Sequence, residues 1–327
     1  MTGHALTSIF SEEIDDYIAM RAADGRDLVS ARRELSSLDR FLTERPPAKK
    51  ALERESVFEW VRQRPLKAIT RNSKLSVIRG FAAYLRALGM DASVPESTRA
   101  SSAYVPYLLT QDELARIFEK LDSLVIEKGV LVNPAKMVPM LIRLLYGTGL
   151  RLGEALALKW DDIDQDGAVL LIRHAKGDCQ RYVPISLSLA EILNCYKVSG
   201  ICAGAPRSAV FADAFGKVMT QGQARRLFTM AVKAAGIVLA PAEAGERGIC
   251  PHCLRHLFVM HSYLKMEHEG RPFIESSPYL CAYLGHKDLR CTDKYLKGSY
   301  LLHKGEHAVM EGAIGHIFPE AVATDGC

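Results

Sequence analysis

Four residues in the last quarter of this 327-residue chain have types and spacings that could cleave a phosphodiester. His252 and Arg255 form an H-x-x-R pattern, His286 ends a Leu-Gly-His tripeptide, and Tyr295 lies nine residues further on. Cleavage without metal needs a nucleophile, cations around the charge developing on the phosphate oxygens, and an acid for the departing oxygen. Tyrosine can be the nucleophile. Arginine can be the cation, because its planar guanidinium donates two parallel hydrogen bonds to a phosphate.

Two further cations precede this set. Arg151 follows a Gly-Thr-Gly-Leu turn at the start of a predicted helix, where its side chain can point into a cleft. Lys176 lies in an Ala-Lys-Gly turn between two predicted strands, and the second strand begins at Arg181. Each alone could be an ordinary solvated charge.

Together these motifs, over roughly residues 108–295, resemble the tyrosine recombinase (phage integrase) family. The resemblance implies that Arg151 and Arg255 are the two catalytic arginines and that Lys176 protonates the leaving 5′ oxygen. It also implies that His252 and His286 contact the scissile phosphate and that Tyr295 attacks it. The resulting 3′-phosphotyrosine link preserves the bond energy, so neither a metal nor a nucleotide cofactor is expected.

Other interpretations remain open. A core-packed histidine and a surface arginine could explain the H-x-x-R pattern. Cys250, His252, Cys253 and His256 could form a metal site, but no second ligand pair stands at zinc-like spacing and all four lie within seven residues. His256 points about 100° away from Arg255 on a helix, so we expect it to support packing or hydrogen bonding. Asp161, Asp162, Asp164 and Asp166 are the only carboxylates clustered enough for a metal-dependent nuclease, in an expected helix-to-strand connection.

The charge of the first hundred residues changes sign. Residues 1–44 hold five Lys/Arg and nine Asp/Glu, whereas residues 45–86 hold eleven Lys/Arg and three acids. Residues 61–88 contain no acid at all. Such a basic surface is typical of phosphate contacts with DNA, although a solvated helix face would also explain it. The candidate DNA-binding residues are Arg62, Arg64, Lys67, Arg71, Lys74 and Arg79.

The length and the patterning favour two domains. Residues 1–97 are predicted to be an N-terminal helical core-binding domain that binds DNA, and residues 98–327 a C-terminal catalytic domain with a tail helix. A proline-containing polar stretch links them, and Thr110 with Glu113 predicts a capping box that opens the next helix. Two strands are expected at 168–174 and 181–185, and late helices at 252–266, 277–284 and 289–297. The fold class is therefore mainly α with a small antiparallel β-sheet, and the resemblance implies a SAM-like first domain and an α+β recombinase domain.

Composition is that of a soluble globular protein, with 48% apolar and 24% charged residues and a net charge of +4. No apolar run is long enough to span a membrane, and no export signal is evident, so we expect a cytoplasmic protein whose eight cysteines are reduced. The resemblance implies double-stranded DNA sites as partners, a homo-tetramer that exchanges strands through a Holliday junction, and accessory DNA-bending or directionality proteins. The alternatives are a catalytically idle DNA-binding protein on the same scaffold and a type IB topoisomerase-like enzyme.

Overall fold

The structure is a computed structural model that describes residues 6–24, 28–98, 107–123, 134–173, 180–199, 208–213, 215–237 and 248–285. By its internal contacts the chain divides into two compact units, Met1–Ala103 and Tyr104–Cys327. Among the described helices, none is long and apolar enough to cross a bilayer.

The first unit is a cluster of four helices around one apolar core. They are α1 (Ser11–Ala23), α2 (Leu28–Glu44), α3 (Arg54–Arg62) and α4 (Ala68–Ala87). On α4 the apolar residues recur every three or four positions, and Leu75, Ile78 and Leu85 are all buried on one face. Phe81 completes that face and packs against the ring of Phe10, 6.4 Å away between centroids.

The second unit surrounds a central apolar helix. Its helices are α5 (Gln111–Asp122), α6 (Pro134–Thr148), α7 (Leu152–Ala157), α8 (Leu187–Val198), α9 (Gln221–Ala234), α10 (His252–His268) and α11 (Phe273–Leu284). Nearly every described side chain of α6 from Met137 to Leu145 is buried, because α5, α7, α8, α9 and α10 all pack against this helix. The predicted capping box is present, since Thr110 Oγ1 accepts from the Glu113 amide and the Glu113 carboxylate accepts from the Thr110 amide.

A three-stranded antiparallel sheet lies in the same unit. The strands are β1 (Ile163–Asp164), β2 (Val169–Ile172) and β3 (Arg181–Pro184), in the order β1-β2-β3. The sequence predicted the last two only. Because β1 has just two residues, it carries no alternating pattern from which a strand can be inferred, and a short 3₁₀ helix, Trp160–Asp162, leads into it.

The predicted fold class, mainly helical with a small antiparallel sheet, is confirmed. One helix start was wrong. Helix α11 begins at Phe273 after Pro272, four residues before the predicted start at Ser277, and continues through Pro278. Proline lacks an amide proton and usually lies in the first turn of a helix, so the local sequence favours a start beside Pro278. The predicted helix at 289–297 and the tail lie outside the described residues.

Candidate active site

The candidate site is built around the C-terminal end of α11. The last carbonyl groups of a helix have no partner within the helix and carry the negative end of its dipole. Here α11 stops at Gly285, which adopts a left-handed conformation with φ +63°. The backbone turn directs the carbonyl oxygens of residues 283, 284 and 285 towards three arginines.

Each of these three arginines donates to a different, consecutive carbonyl oxygen. Arg181 Nε donates to the oxygen of Tyr283 at 2.8 Å, and Arg255 Nη2 donates to that of Leu284 at 2.9 Å. Arg151 Nη2 donates to the oxygen of Gly285 at 3.3 Å. The two arginines predicted from the sequence are therefore brought to neighbouring residues of one helix end, although 104 positions separate them in the chain.

A single carboxylate connects two of these arginines. Glu154 accepts from the backbone amide and Nη1 of Arg151 at 3.0 and 2.7 Å, and from Nη2 and Nη1 of Arg181 at 2.8 and 3.3 Å. Burial of Glu154 by itself raises its pKa, but the hydrogen bonds from Arg181 and Arg151 outweigh it, so the pKa of Glu154 is lowered. The carboxylate is therefore ionised at neutral pH. Three guanidinium groups and one carboxylate leave a net charge of +2.

The three arginines differ in exposure. The Arg151 side chain is 30% exposed and that of Arg181 is 10% exposed, whereas Arg255 as a residue is only 1% exposed. Arg255 also donates from Nη1 to the carbonyl oxygen of Gly149 at 2.8 Å, on the turn between α6 and α7. Arg151 is therefore the guanidinium most accessible to a ligand, and Arg255 joins the α6–α7 turn to the end of α11.

The turn before Arg151 requires glycine at position 149. Its φ is +62°, and a Cβ atom there would lie 2.5 Å from Cδ1 of Phe258 on α10. The Phe258 ring in turn stacks on Tyr283, with centroids 5.4 Å apart and planes 18° from parallel. The Tyr283 hydroxyl donates to the Pro184 carbonyl oxygen at 3.1 Å, and burial raises its pKa. These contacts tie α6, α10, α11 and β3 together directly behind the arginines.

The two histidines at the start of α10 have different environments. His252 is exposed, whereas His256 is buried one turn further along, and their rings meet edge to face at 4.7 Å. Burial, with smaller contributions from His252 and Arg255, lowers the pKa of His256 to about 3. His256 is thus neutral at pH 7 and packs beside the site, in the supporting position expected from its spacing. His252 lies on the surface although Arg255, one turn away, points inward.

Three of the six predicted catalytic residues, Lys176, His286 and Tyr295, lie outside the described residues. The catalytic roles of all six, Arg151, His252 and Arg255 included, stay predictions. His286 is the next residue in sequence after Gly285, whose carbonyl oxygen accepts from Arg151.

Two residues of the site were missed as functional candidates, Glu154 and Arg181. The sequence does carry a signal for each. Glu154 stands three residues after Arg151, at the position from which a glutamate caps the start of a helix. Arg181 shares its strand face with Val183, which is fully buried, and an arginine on the buried face of a strand must have a partner.

The six candidate DNA-binding residues of the first unit fall into two groups. Arg62, Arg64 and Lys67, at the α3–α4 connection, are exposed. The other three are half-buried and have partners within the unit: Arg71 donates to Thr98 Oγ1 at 2.8 Å, Arg79 to the Pro95 carbonyl oxygen at 3.3 Å, and Lys74 pairs with Glu34 at 3.2 Å. The exposed group is therefore the better placed to meet a phosphate backbone.

A groove of about 550 Å³ runs beside the exposed group. Its lining includes four basic residues, two of which, Arg33 and Arg40, come from α2 and were not predicted. The Lys74 ammonium lies 4.8 Å from the ring centroid of Trp60 on the same wall. Arg33 and Arg40 extend the basic surface from α3 and α4 to α2, although Arg33, like Lys74, pairs with Glu34, at 2.8 Å.

Within the part of the chain that the structure describes, no group of three or more His, Cys, Asp or Glu side chains is placed to hold a metal ion. Two of the four clustered aspartates have structural partners. Asp162 pairs with Arg173 and accepts from the Lys159 amide, and Asp164 accepts from the Gly167 amide.

Comparison with known proteins gives a consistent result. The model of the phage integrase family matches residues 108–300 of the chain. A protein of Sinorhizobium fredii that carries the name integrase/recombinase y4rB is 29% identical over 310 residues, which cover 91% of this chain and 95% of that protein. Tyrosine recombinase XerD of Mycobacterium tuberculosis is 30% identical over 203 residues, or 60% of this chain and 61% of XerD.

Solved structures share the fold. A lambda integrase(75-356) dimer bound to a COC′ core site matches with a TM-score of 0.59 and 19% identity, over 87% of this chain and 94% of that one. A lambda integrase tetramer bound to a Holliday junction matches with a TM-score of 0.56 and 18% identity, over 85% and 77% of the two chains. At these identities the likeness concerns the fold.

The role of Glu154 can be tested through acid stability. Because the folded-state pKa of Glu154 is lowered, its stabilisation is complete above the unfolded pKa of about 4.3 and is lost as the pH falls through the folded value. At pH 7 we expect Glu154→Gln to lower the free energy of unfolding by about 3 kcal/mol, because two arginines lose their buried partner. In urea titrations from pH 7 towards pH 3, the difference from wild type should shrink.

The control for this measurement is Glu267→Gln, which changes an exposed carboxylate near the end of α10. It should stay within about 0.5 kcal/mol of wild type. Acid protonation of His256 affects all three proteins equally and cancels in the difference. A Glu154→Gln deficit that stayed constant down to pH 3 would contradict the assigned ion pairs.

The close approach of Arg181 to Gly285 gives a second prediction. A Cβ atom at position 285 would lie 3.0 Å from Arg181 Nη1 and 3.2 Å from Cζ. Gly270, at the end of α10, has a similar φ of +78° but nothing within 4 Å of such an atom. Gly270→Ala should therefore cost only the left-handed strain, about 1–2 kcal/mol, and Gly285→Ala at least about 1 kcal/mol more. Urea midpoints of the two variants measure the difference. Equal midpoints would show that the Arg181 side chain moves away from the added Cβ atom without loss of stability.

Proposed function

The chain belongs to the phage integrase family and is a tyrosine-type site-specific recombinase, and from this premise we propose that it cleaves and rejoins DNA strands through a 3′-phosphotyrosine intermediate. The observation that carries the proposal is the convergence of Arg151 and Arg255, with Arg181, on one helix end. The cluster has a net positive charge, and its most accessible member is Arg151. Such a cluster can stabilise the additional negative charge that develops on the phosphate oxygens in the transition state.

In this proposal Arg151 is the primary phosphate clamp. Glu154 fixes its guanidinium from one side through Nη1, and the Gly285 carbonyl oxygen accepts from Nη2 at the long distance of 3.3 Å. That second bond is the weaker, so a phosphate oxygen can replace it. Arg255 contributes its charge from beneath, while its bonds to Gly149 and Leu284 hold the walls of the site together.

The chemical steps are assigned to residues matched by the family motifs. Tyr295 attacks the phosphorus, the bond to the 5′ oxygen breaks, and Lys176 gives that oxygen its proton. His252 and His286 donate hydrogen bonds to the phosphate. A phenol has an ordinary pKa of about 10, so the surrounding cations are needed to favour its ionised form. Rejoining reverses the steps with another 5′ hydroxyl, and no metal or nucleotide is consumed.

The first unit is proposed to hold the duplex. Its exposed residues Arg62, Arg64 and Lys67 lie next to the groove lined by Arg33 and Arg40, and together they form a basic surface for phosphate contacts. The catalytic role is assigned to the second unit. In this proposal the predicted domain of residues 1–97 binds the duplex, and that of residues 98–327 cleaves it.

Strand exchange requires more than one active site. Lambda integrase forms a tetramer on a Holliday junction, and we propose the same assembly for this chain on paired double-stranded sites. Accessory DNA-bending or directionality proteins belong to the same proposal, as does a cytoplasmic setting. A catalytically idle DNA-binding protein and a type IB topoisomerase-like enzyme are the alternatives that the experiments must separate.

The decisive experiment traps the covalent intermediate. A duplex that binds the protein is first selected from a pool with a randomised segment, and a nick is then placed in it so that the cleaved strand diffuses away. Wild type should give an adduct that resists SDS, and Tyr295→Phe should give none, because the nucleophilic oxygen is gone. Adduct yield is read on a denaturing gel.

Tyr279→Phe is the matched control, since Tyr279 is a tyrosine 73% exposed on α11. It should form the adduct at the wild-type rate. An adduct that persists in Tyr295→Phe would show that another residue is the nucleophile. Wild-type binding without an adduct on any selected duplex would favour the idle DNA-binding protein, and relaxation of supercoils by isolated monomers would favour the topoisomerase.

The basic surface can be tested through the salt dependence of binding. Neutralising Arg62, Arg64 and Lys67 together should weaken DNA binding and reduce the slope of log K against log salt by about 0.9 for every phosphate that the protein no longer neutralises. A triple alanine variant at Lys233, Lys265 and Arg271 removes the same charge from exposed helix ends of the second unit. Fluorescence anisotropy from low to moderate salt should show a smaller slope only for the first variant. An equal reduction in both variants would mean that net charge, and not this surface, sets the affinity.

A further inference from the structure

Two cysteines flank His252 in a Cys-Pro-His-Cys sequence at the start of α10. Neither forms a disulfide in this structure. Cys250 is half-buried and Cys253 is buried. The family motif does not require them, and the metal interpretation of this cluster finds no support in the described residues. Their spacing and their place at a helix N-terminus are nevertheless typical of dithiols that react with disulfides.

The backbone already holds the two residues at bonding range. The Cys253 amide donates to the Cys250 carbonyl oxygen at 2.8 Å, which closes a tight turn over four residues. The Cα atoms across such a turn lie within about 7 Å, and a disulfide needs about 4.4–6.8 Å. The Cys253 and Cys250 side chains are also hydrogen-bonded to each other. A bond between the sulfurs therefore requires only a local adjustment.

The two thiols differ in a way that assigns their order of reaction. The hydrogen bond with Cys250, followed by burial, raises the pKa of the Cys253 thiol, so Cys253 keeps its proton and donates it towards the Cys250 sulfur. The positive end of the α10 dipole favours negative charge nearby. Cys250 is also the more accessible of the two. An oxidant would thus meet Cys250 first.

We propose that Cys250 and Cys253 form a reversible dithiol–disulfide site whose oxidant is a small-molecule disulfide. The Cys250 thiolate attacks one sulfur of the oxidant, and the other sulfur leaves as a thiolate. Cys253 then loses its proton, attacks the Cys250 sulfur and displaces the second thiolate. The protein gives up two electrons and two protons, and the oxidant becomes two thiols.

The disulfide would act on the active site through His252. This step rests on the proposed function. Formation of the disulfide draws the buried Cys253 sulfur towards Cys250 and fixes the backbone of Pro251 and His252 between the two cysteines. Arg255 lies two residues after Cys253 and bonds to Gly149 and Leu284, so a shift in the first turn of α10 also reaches the guanidinium cluster. Oxidation is therefore expected to switch strand cleavage off.

The first measurement concerns the thiols alone. The full-length protein is equilibrated with mixtures of reduced and oxidised glutathione, its remaining thiols are alkylated, and its peptides are mapped by mass spectrometry. A Cys250–Cys253 disulfide should form and be reversed by dithiothreitol. It should still form in Cys195→Ser, which changes an exposed cysteine on α8, and be absent from Cys250→Ser. Absence of this disulfide from wild type at every glutathione ratio would overturn the proposal.

The second measurement uses the nicked duplex. Oxidised wild type should form the covalent adduct at least about tenfold more slowly than reduced wild type, since small displacements of catalytic groups have large effects on rate. Dithiothreitol should restore the rate. In Cys250→Ser the ratio of the two rates should be close to one, whatever its absolute rate. Equal rates for oxidised and reduced wild type would overturn the proposal that the disulfide controls cleavage. If reduced wild type forms no adduct at all, the proposed function fails, while the peptide map still decides whether the dithiol site exists.

Discussion

The organisation of the second unit depends on the neutralisation of one helix end. The carbonyl oxygens of residues 283–285 would be costly to leave without donors, and three guanidinium groups supply them. These arginines come from three separate places: the α6–α7 turn, β3 and α10. The same bonds that satisfy the end of α11 therefore decide where the cationic groups of the site stand. Glu154 limits the repulsion between two of them, so that a cluster with net positive charge can be stable before any anion arrives.

This arrangement explains which parts of the molecule could be predicted from sequence. The Thr110–Glu113 capping box is a local pattern and appears as predicted, and the buried stripe of Leu75, Ile78 and Leu85 follows equally from local spacing. Strand β1 has two residues and no pattern of its own. The N-terminal turn of α11 was missed because a proline normally marks a first turn, and here Pro278 lies inside the helix. Local rules are accurate where local interactions decide the structure.

The site illustrates the same division. Motif order was enough to select Arg151 and Arg255, and the structure brings them together. The order of the motifs could not show that Arg255 is buried and donates to main-chain oxygens, because its partners, Gly149 and Leu284, are distant in sequence. The motifs also did not select Arg181, whose partners are Glu154 and the end of α11. Similarly, the basic run of the first unit predicted a charged surface, but only tertiary contacts separate the exposed Arg62 and Arg64 from the internally bonded Arg71.

The wide sequence separation of these contacts has a consequence for the newly made protein. Arg151 meets an oxygen 134 positions later in the chain, and Arg181 one 102 positions later. Domains form during synthesis from the N-terminus onwards, and long-range pairings come last. The first unit, which holds the basic surface, can thus fold while the ribosome is still translating the second. The arginine cluster can close only after α11 has left the exit tunnel. Under the proposed function, a growing chain would therefore complete its basic surface for DNA well before the arginine cluster that strand cleavage requires.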